Sequence, residues 1–254
     1  MPNKALGQHW LKDREILEII TSYAAITPSD TVLEIGPGLG TLTSVLLCHA
    51  RQVVAVEFDK ELAAKLSAQF PGKNLTIYNQ DILAFDLSIL PTKYKVVANI
   101  PYYITSKIIK QLMTAPHKPS LVVLVIQKEV AQRLAARPGE MNVLAVSAHI
   151  FAEISLGEII PAQAFFPPPK VDSQIVILKS RPKPLVSENE QQLFFRVVKA
   201  GFSAKRKKLR SILSGGLHMS KNHIEEILKK SHIDPDLRAE ALSIDDWKGI
   251  IKNI

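Results

Sequence analysis

Asn99-Ile100-Pro101-Tyr102 is a tetrapeptide whose residue types suit one kind of chemistry. An exocyclic amine on a nucleobase, such as N6 of adenine, is a poor nucleophile because its lone pair is delocalised into the ring. The Asn99 side-chain carbonyl and the Ile100 backbone carbonyl can each accept one hydrogen of that amine. Two such bonds hold it and shift electron density onto nitrogen, ready for an electrophile. Tyr102 offers a flat face on which an unstacked base can lie. Pro101 fixes φ and stiffens the turn. Taken alone, the tetrapeptide equally describes a strand that ends in a proline turn over a core tyrosine. Its meaning depends on the elements that precede it.

Thr31-Val32-Leu33 reads as a buried strand and Thr41 to Leu47 as a helix, with Glu34-Ile35-Gly36-Pro37-Gly38-Leu39-Gly40 between them. A strand, a glycine turn and a helix make a nucleotide-binding corner, because glycine permits φ > 0 and close approach of backbone to ligand. Thr41 stands where the dinucleotide fingerprint needs its last glycine, which argues against a pyrophosphate on the helix N-terminus. The turn fits the amino-acid and ribose parts of S-adenosylmethionine (SAM), with Gly36 and Gly38 against them. Val53 to Val56 is a second strand and Glu57 ends it, 21 residues (57 − 36) after Gly36, near the spacing of a ribose-binding acid. Asp59 is the better helix N-cap of the two acids. Leu75 to Tyr78 is a third strand. Beyond it Asp81 can bind the exocyclic amine of the cofactor's adenine with Ile82 against the ring, or form a simple Asx turn. Lys93 to Ala98 is a fourth strand, and it delivers Asn99. Four successive strands thus carry chemistry at their C-terminal ends, where open α/β sheets bind ligands.

These motifs, in this order, resemble the ribosomal RNA adenine N6,N6-dimethyltransferases, in particular the bacterial small-subunit type. The resemblance runs almost end to end. Leu6-Gly7-Gln8-His9-Trp10-Leu11 is similar to the family's N-terminal cofactor motif, with Trp10 where Phe is usual. Gln127 to Leu134, Phe165-Phe166-Pro167-Pro168-Pro169-Lys170-Val171-Asp172-Ser173, Gly201-Phe202-Ser203 and Arg238-Ala239-Glu240-Ala241-Leu242-Ser243 are further family stretches. The resemblance implies a cofactor site of His9, Leu11, Gly36, Glu57, Asp81 and Asn99, and a target-base pocket walled by Phe165. It implies a class I SAM-dependent methyltransferase of the α/β class, with a Rossmann-like, seven-stranded, mostly parallel sheet and a small all-helical C-terminal domain. The implied activity is dimethylation of N6 on two adjacent adenosines near the 3′ end of small-subunit (16S) rRNA during ribosome biogenesis. One stretch departs from the family. Glu140-Met141-Asn142-Val143-Leu144-Ala145-Val146-Ser147 replaces a usual Tyr-Gly-x-Leu-Ser run, which bears on local packing and substrate-side contacts.

Composition agrees with this picture. A chain of 254 residues can hold one large core and a small second domain. Two prolines among charges, Arg181-Pro182-Lys183-Pro184, read as a linker, giving a SAM-binding domain over 1–182 and a helical RNA-binding domain over 183–254. Helices are expected over Glu190 to Ala200, Lys205 to Leu213, Lys221 to Lys230 and Asp245 to Lys252. Residues 1–180 hold 17 Lys+Arg and 15 Asp+Glu, and residues 181–254 hold 15 and 9, so six of the eight net positive charges fall in the last part. Arg196, Lys199, Lys205, Arg206, Lys207, Lys208 and Arg210 form a strip with no intervening acid, suited to a phosphate backbone. The single cysteine, Cys48, excludes an internal disulfide and Cys-rich metal sites, and its helix position reads as core. No metal is expected. No run has the ~18 apolar residues of a membrane span, and no apolar segment follows Met1-Pro2-Asn3-Lys4 as in a signal peptide. A cytoplasmic monomer is the expectation. Other readings are the same chemistry on large-subunit rRNA, a non-catalytic ribosome-assembly factor, and, more distantly, a dinucleotide oxidoreductase.

Overall fold

The computed structural model describes residues 8–204 and 206–254, so Leu6, Gly7 and Lys205 lie outside the described residues. The chain forms strands β1 (Trp10–Leu11), β2 (Thr31–Ile35), β3 (Gln52–Glu57), β4 (Leu75–Asn79), β5 (Lys95–Asn99), β6 (Leu121–Gln127), β7 (Ala152–Ile160), β8 (Phe165–Phe166) and β9 (Ser173–Ser180). Its helices are α1 (Arg14–Tyr23), α2 (Thr41–His49), α3 (Lys60–Gln69), α4 (Thr105–Thr114), α5 (Lys128–Leu134), α6 (Val143–His149), α7 (Glu188–Gly201), α8 (Leu209–Leu217), α9 (Lys221–Lys230) and α10 (Ile244–Lys252). Two compact units result. One is Met1–Ala131 with Glu153–Ser180, and the other is Gln132–Ala152 with Arg181–Ile254.

The first unit is built on a seven-stranded sheet in the order β4-β3-β2-β5-β6-β9-β7. The pairs β4–β3, β3–β2, β2–β5 and β5–β6 are parallel, and β9 runs antiparallel to β6. This is the mostly parallel sheet expected from the motifs. Its central strands are apolar on both faces. Val96, Val97 and Ala98 are all fully buried, as required of parallel strands that helices cover on both sides. Leu17, Ile20, Leu42, Val45 and Leu46 of α1 and α2 pack with Val32, Val53, Val97, Val123 and Val125 in one core cluster. The strand order reverses between β2 and β5, and ligands of such sheets bind beside that reversal, at the strands' C-terminal ends. A separate two-stranded ribbon pairs Trp10 with Phe166 and Leu11 with Phe165.

The second unit is helical. It takes in 132–152 as well as 181–254. Glu140 to Ser147, the departure from the family pattern, has a clear local structure. Asn142 caps α6, its Oδ1 accepting from Ala145 N–H at 3.1 Å while its Nδ2 donates to Arg133 O at 2.8 Å. Gly139 and Met141 both donate backbone N–H to Glu240 O. The helix expected from Lys205 instead begins at Leu209, after the lysine run. Like charges at neighbouring positions of a first turn oppose the helix dipole, so the turn forms beyond them. Cys48 is exposed, not core. The buried face of α2 is Leu42, Val45 and Leu46, and Cys48 falls on the other side. Among the described residues no helix is long and apolar enough to cross a membrane.

Candidate active site

A cavity of about 320 Å³ opens at the C-terminal ends of β2, β3 and β5, lined in part by Gly36, Gly38, Glu57, Asp81, Ile82, Asn99 and Tyr102. The sequence motifs therefore meet in one place. Gly36, Gly38 and Gly40 all have positive φ. A Cβ on Gly38 would lie 3.2 Å from Trp10 Nε1, so the indole would have to give by a few tenths of an ångström. A Cβ on Gly36 would meet nothing within 4 Å, so backbone faces open space at the cavity wall. Thr41, which breaks the dinucleotide fingerprint, donates its hydroxyl to Leu11 O at 2.8 Å. It ties β1 down over the glycine turn.

Glu57 is buried, with Oε2 accepting from Gly38 N–H at 3.0 Å and Oε1 from Asp59 N–H at 2.8 Å. Burial pushes its carboxyl above the usual range, against the pull of those bonds. Asp59 caps α3, as its position suggested. Asp81 both lines the cavity and caps the 3₁₀ turn Ile82–Ala84, its Oδ1 accepting from Leu83 N–H at 2.9 Å. The Asx turn and the ligand-facing position are thus compatible. Phe58 was not singled out by its sequence context. It lines the cavity next to Glu57 and keeps 61 % of its surface exposed. A large apolar side chain directly after the ribose-type acid was the available signal.

Asn99 sits at the end of β5 and donates from Nδ2 to His9 O at 3.0 Å. A carbonyl can only accept, so the amide's orientation is fixed and Oδ1 remains as the acceptor. His9 Nδ1 lies 2.7 Å from Pro167 O, which places a hydrogen on that nitrogen. Its ring stacks on Tyr102, centroids 5.9 Å apart and planes 18° apart. Tyr102 is pinned at its other end, where its hydroxyl meets Ser173 Oγ at 2.7 Å, and Ser173 is fully buried. Burial raises the phenol above its ordinary value, so it stays neutral. Ser173 was visible only as part of a motif, with no role attached to it. His9 is placed by the structure against Tyr102 as well as at the cavity wall.

Phe165 stands apart from the other expected site residues. It does not line the cavity, is 3 % exposed, and packs in the core with Leu11 and Ile175. Adjacent strand residues face opposite sides, so Phe165 points in and Phe166 out. Phe166 is the exposed ring, with Lys12 Nζ 5.2 Å from its centroid. Leu11, paired with Phe165, does line the cavity, so Phe165 positions the wall from behind it.

The expected basic strip lies in the second unit. Arg196, Lys199, Arg206, Lys207 and Lys208 are exposed, and Arg210 is half-buried. Two of them are not free for phosphate. Lys208 pairs with Asp236 at 2.7 Å, and Arg210 with Glu225 at 3.1 Å and Asp236 at 3.2 Å. Those acids are distant in sequence, which is why the strip looked uncompensated.

A reversal point in a parallel sheet, a glycine turn, a buried acid on the next strand and an Asn-Ile-Pro-Tyr edge define a Rossmann-like methyltransferase. A family model described as ribosomal RNA adenine dimethylase matches residues 2–254, and the chain belongs to that family. Among its relatives, a protein of Dehalococcoides mccartyi named ribosomal RNA small subunit methyltransferase A is 41% identical, covering 96% of this chain and 86% of its own length. One of the same name from Moorella thermoacetica is 38% identical over 100% of this chain and 93% of its own. A solved dimethyladenosine transferase from Plasmodium falciparum superposes with a TM-score of 0.83 at 27% identity, covering 95% of this chain and 96% of that one. The 23S rRNA methyltransferase ErmE gives 0.79 at 28%, covering 96% and 98%.

Proposed function

We propose that this protein transfers methyl groups from SAM to N6 of two adjacent adenosines near the 3′ end of small-subunit rRNA, making dimethyladenosine during ribosome biogenesis. The observation that carries this reading is the fixed Asn99 amide. Its Nδ2 is committed to His9, which leaves Oδ1 as the free acceptor of a residue that lines the cavity together with Ile100 and Tyr102.

The cavity's own chemistry fits the cofactor. Glu57 would hold the ribose hydroxyls, Asp81 the exocyclic amine of the cofactor's adenine, and Phe58 and Ile82 the faces of that ring. Gly36 and Gly38 would lie along the amino-acid and ribose parts, with His9, Leu11 and Asn99 closing the side. SAM supplies an electrophilic methyl group. The rest of the work falls to the chain. Tyr102, clamped between His9 and Ser173, offers a base a rigid stacking face. Asn99 Oδ1 and Ile100 O accept the two N6 hydrogens and stabilise the positive charge that grows on nitrogen as its new bond forms. The cationic amine is strongly acidic, so its proton passes to water without a dedicated base. Positioning carries the rate.

The small subunit is favoured over the large because the relatives at 38–41% identity bear small-subunit names, while ErmE is 28% identical. The exposed cations of the second unit would bind rRNA phosphates, with the protein acting as a cytoplasmic monomer. The test is incubation with labelled SAM and small subunits that lack adenine methylation, with Asn99→Ala as control. Dimethyladenosine from the wild type and almost none from the variant is the expected result. Label that appears only in large subunits would move the substrate. SAM binding with no transfer to either subunit would leave the assembly-factor reading.

A further inference from the structure

Tyr103 is an unexplained residue at the rim of the site. It follows Tyr102 in the 3₁₀ turn Tyr102–Ile104, lines the same cavity, and keeps 65 % of its surface exposed. Lone exposed aromatics need no explanation, but this one has company. Lys107, four residues on in α4, is also exposed and lines the cavity. Residues four apart on a helical path share a face. The opposite face of α4 is fully used, with Ile108, Ile109, Leu112 and Met113 buried. Among the described residues, neither the Tyr103 hydroxyl nor Lys107 Nζ has a hydrogen bond or ion pair, whereas the Tyr102 hydroxyl is held by Ser173. One tyrosine of the pair is thus locked in place and its neighbour is left open beside a free cation.

An aromatic face next to an unpaired lysine is the combination that holds single-stranded nucleic acid, base on ring and phosphate on cation. The geometry points to a second nucleotide subsite. We infer that Tyr103 stacks the base of the nucleotide that adjoins the target adenosine, and that Lys107 holds a phosphate of that step. The inference rests on the rRNA-methylating reading above. With two neighbouring adenosines as substrates, the subsite holds one while Asn99 and Tyr102 hold the other. The neighbour's base is then read by stacking, not by hydrogen bonds.

The test uses the full chain and two preparations of reconstituted small subunits. One carries intact rRNA, and in the other one adenosine of the adjacent pair is abasic. On intact subunits Tyr103→Ala is expected to raise KM about tenfold, within what loss of one base–aromatic stack costs, while SAM affinity, which reports the fold, does not change. Tyr103→Phe, which keeps the ring, restores KM. On abasic subunits Tyr103→Ala and wild type have the same KM. Lys107→Ala raises KM on both substrates, and its effect fades as salt rises. An active wild type with Tyr103→Ala impaired equally on intact and abasic subunits, or not impaired on either, overturns the subsite alone. A wild type that binds SAM yet methylates neither preparation overturns the functional reading and the subsite with it.

Discussion

At the scale of single residues, the site depends on which way round an amide is held. Asn99→Asp keeps the shape and one acceptor but sets an oxygen against the His9 carbonyl, where Nδ2 now donates at 3.0 Å. The repulsion turns the carboxylate away, and the paired acceptors for N6 are lost. We expect kcat, at saturating SAM and rRNA, to fall by about 10²–10³-fold, the range for losing one transition-state partner. A variant within threefold of wild type would remove Asn99 from the chemistry. Glu34 gives a second residue-scale effect, this time on stability. It is fully buried, accepts from the Thr43 hydroxyl at 2.6 Å, and has its carboxyl pushed up to about 8 by burial, with the Glu57 charge adding to the effect. The ordinary value for a glutamate, taken for the unfolded chain, is 4.5. Between these values the folded chain keeps a proton that the unfolded chain has lost. The contribution is therefore full below the lower value, falls by about 1.4 kcal/mol per pH unit as pH rises, and is gone above the upper one. Glu34→Gln, neutral throughout, should flatten that part of the profile in urea unfolding at pH 5 to 8. Parallel profiles for the two proteins would mean that Glu34 is ionised in the folded chain.

At the scale of elements, the glycine turn between β2 and α2 is the part with least freedom. Gly40 caps α2 with φ +78°, and a Cβ there would lie 2.7 Å from Leu66 Cδ1 and 2.9 Å from Phe70 Cε2. Gly36 has φ +66° but open space. Gly40→Ala should therefore cost about 2–3 kcal/mol, strain plus overpacking, and Gly36→Ala about 1 kcal/mol, strain alone. Equal losses in denaturant midpoints would deny the clash. The same turn shows what was legible in the sequence. Thr31–Ile35, Gln52–Glu57 and Leu75–Asn79 enclose the short runs Thr31–Leu33, Val53–Val56 and Leu75–Tyr78 that local pattern alone found, and their ends carry the site. The ribbon of Trp10–Leu11 with Phe165–Phe166 has two residues a side, and its partners lie far apart in the chain. No periodicity can be read from two residues, so the inward turn of Phe165 and the outward turn of Phe166 were not legible. Ser173 and Phe58 were missed for a related reason: their roles come from where Tyr102 and the cavity lie, which is tertiary information.

At the scale of the whole molecule, charge is the property that sequence gave correctly in sum and incompletely in detail. The chain carries a net +8, with most of the excess in its last part. The run from Arg196 to Arg210 contains no acid, yet Asp236 and Glu225 return in space to Lys208 and Arg210. Lys208 and Asp236 hold each other, and the Asp236 carboxyl sits below its usual range because of the Lys208 hydrogen bond. A cation already neutralised by a carboxylate releases no counterion from RNA when it binds. Arg206 and Lys207 are exposed and, among the described residues, have no ion pair. Binding to small subunits, followed across a series of KCl concentrations, should therefore separate the two kinds of cation. Arg206→Ala and Lys207→Ala should each lower the slope of log K against log salt by about 0.7–0.9, one phosphate contact apiece. Lys208→Ala should change the slope less, because its ammonium is already held by Asp236 and gives up no phosphate contact of its own. Equal slope changes for all three would mean that the Lys208–Asp236 pair opens on RNA and that the strip acts as the uninterrupted run its sequence suggests.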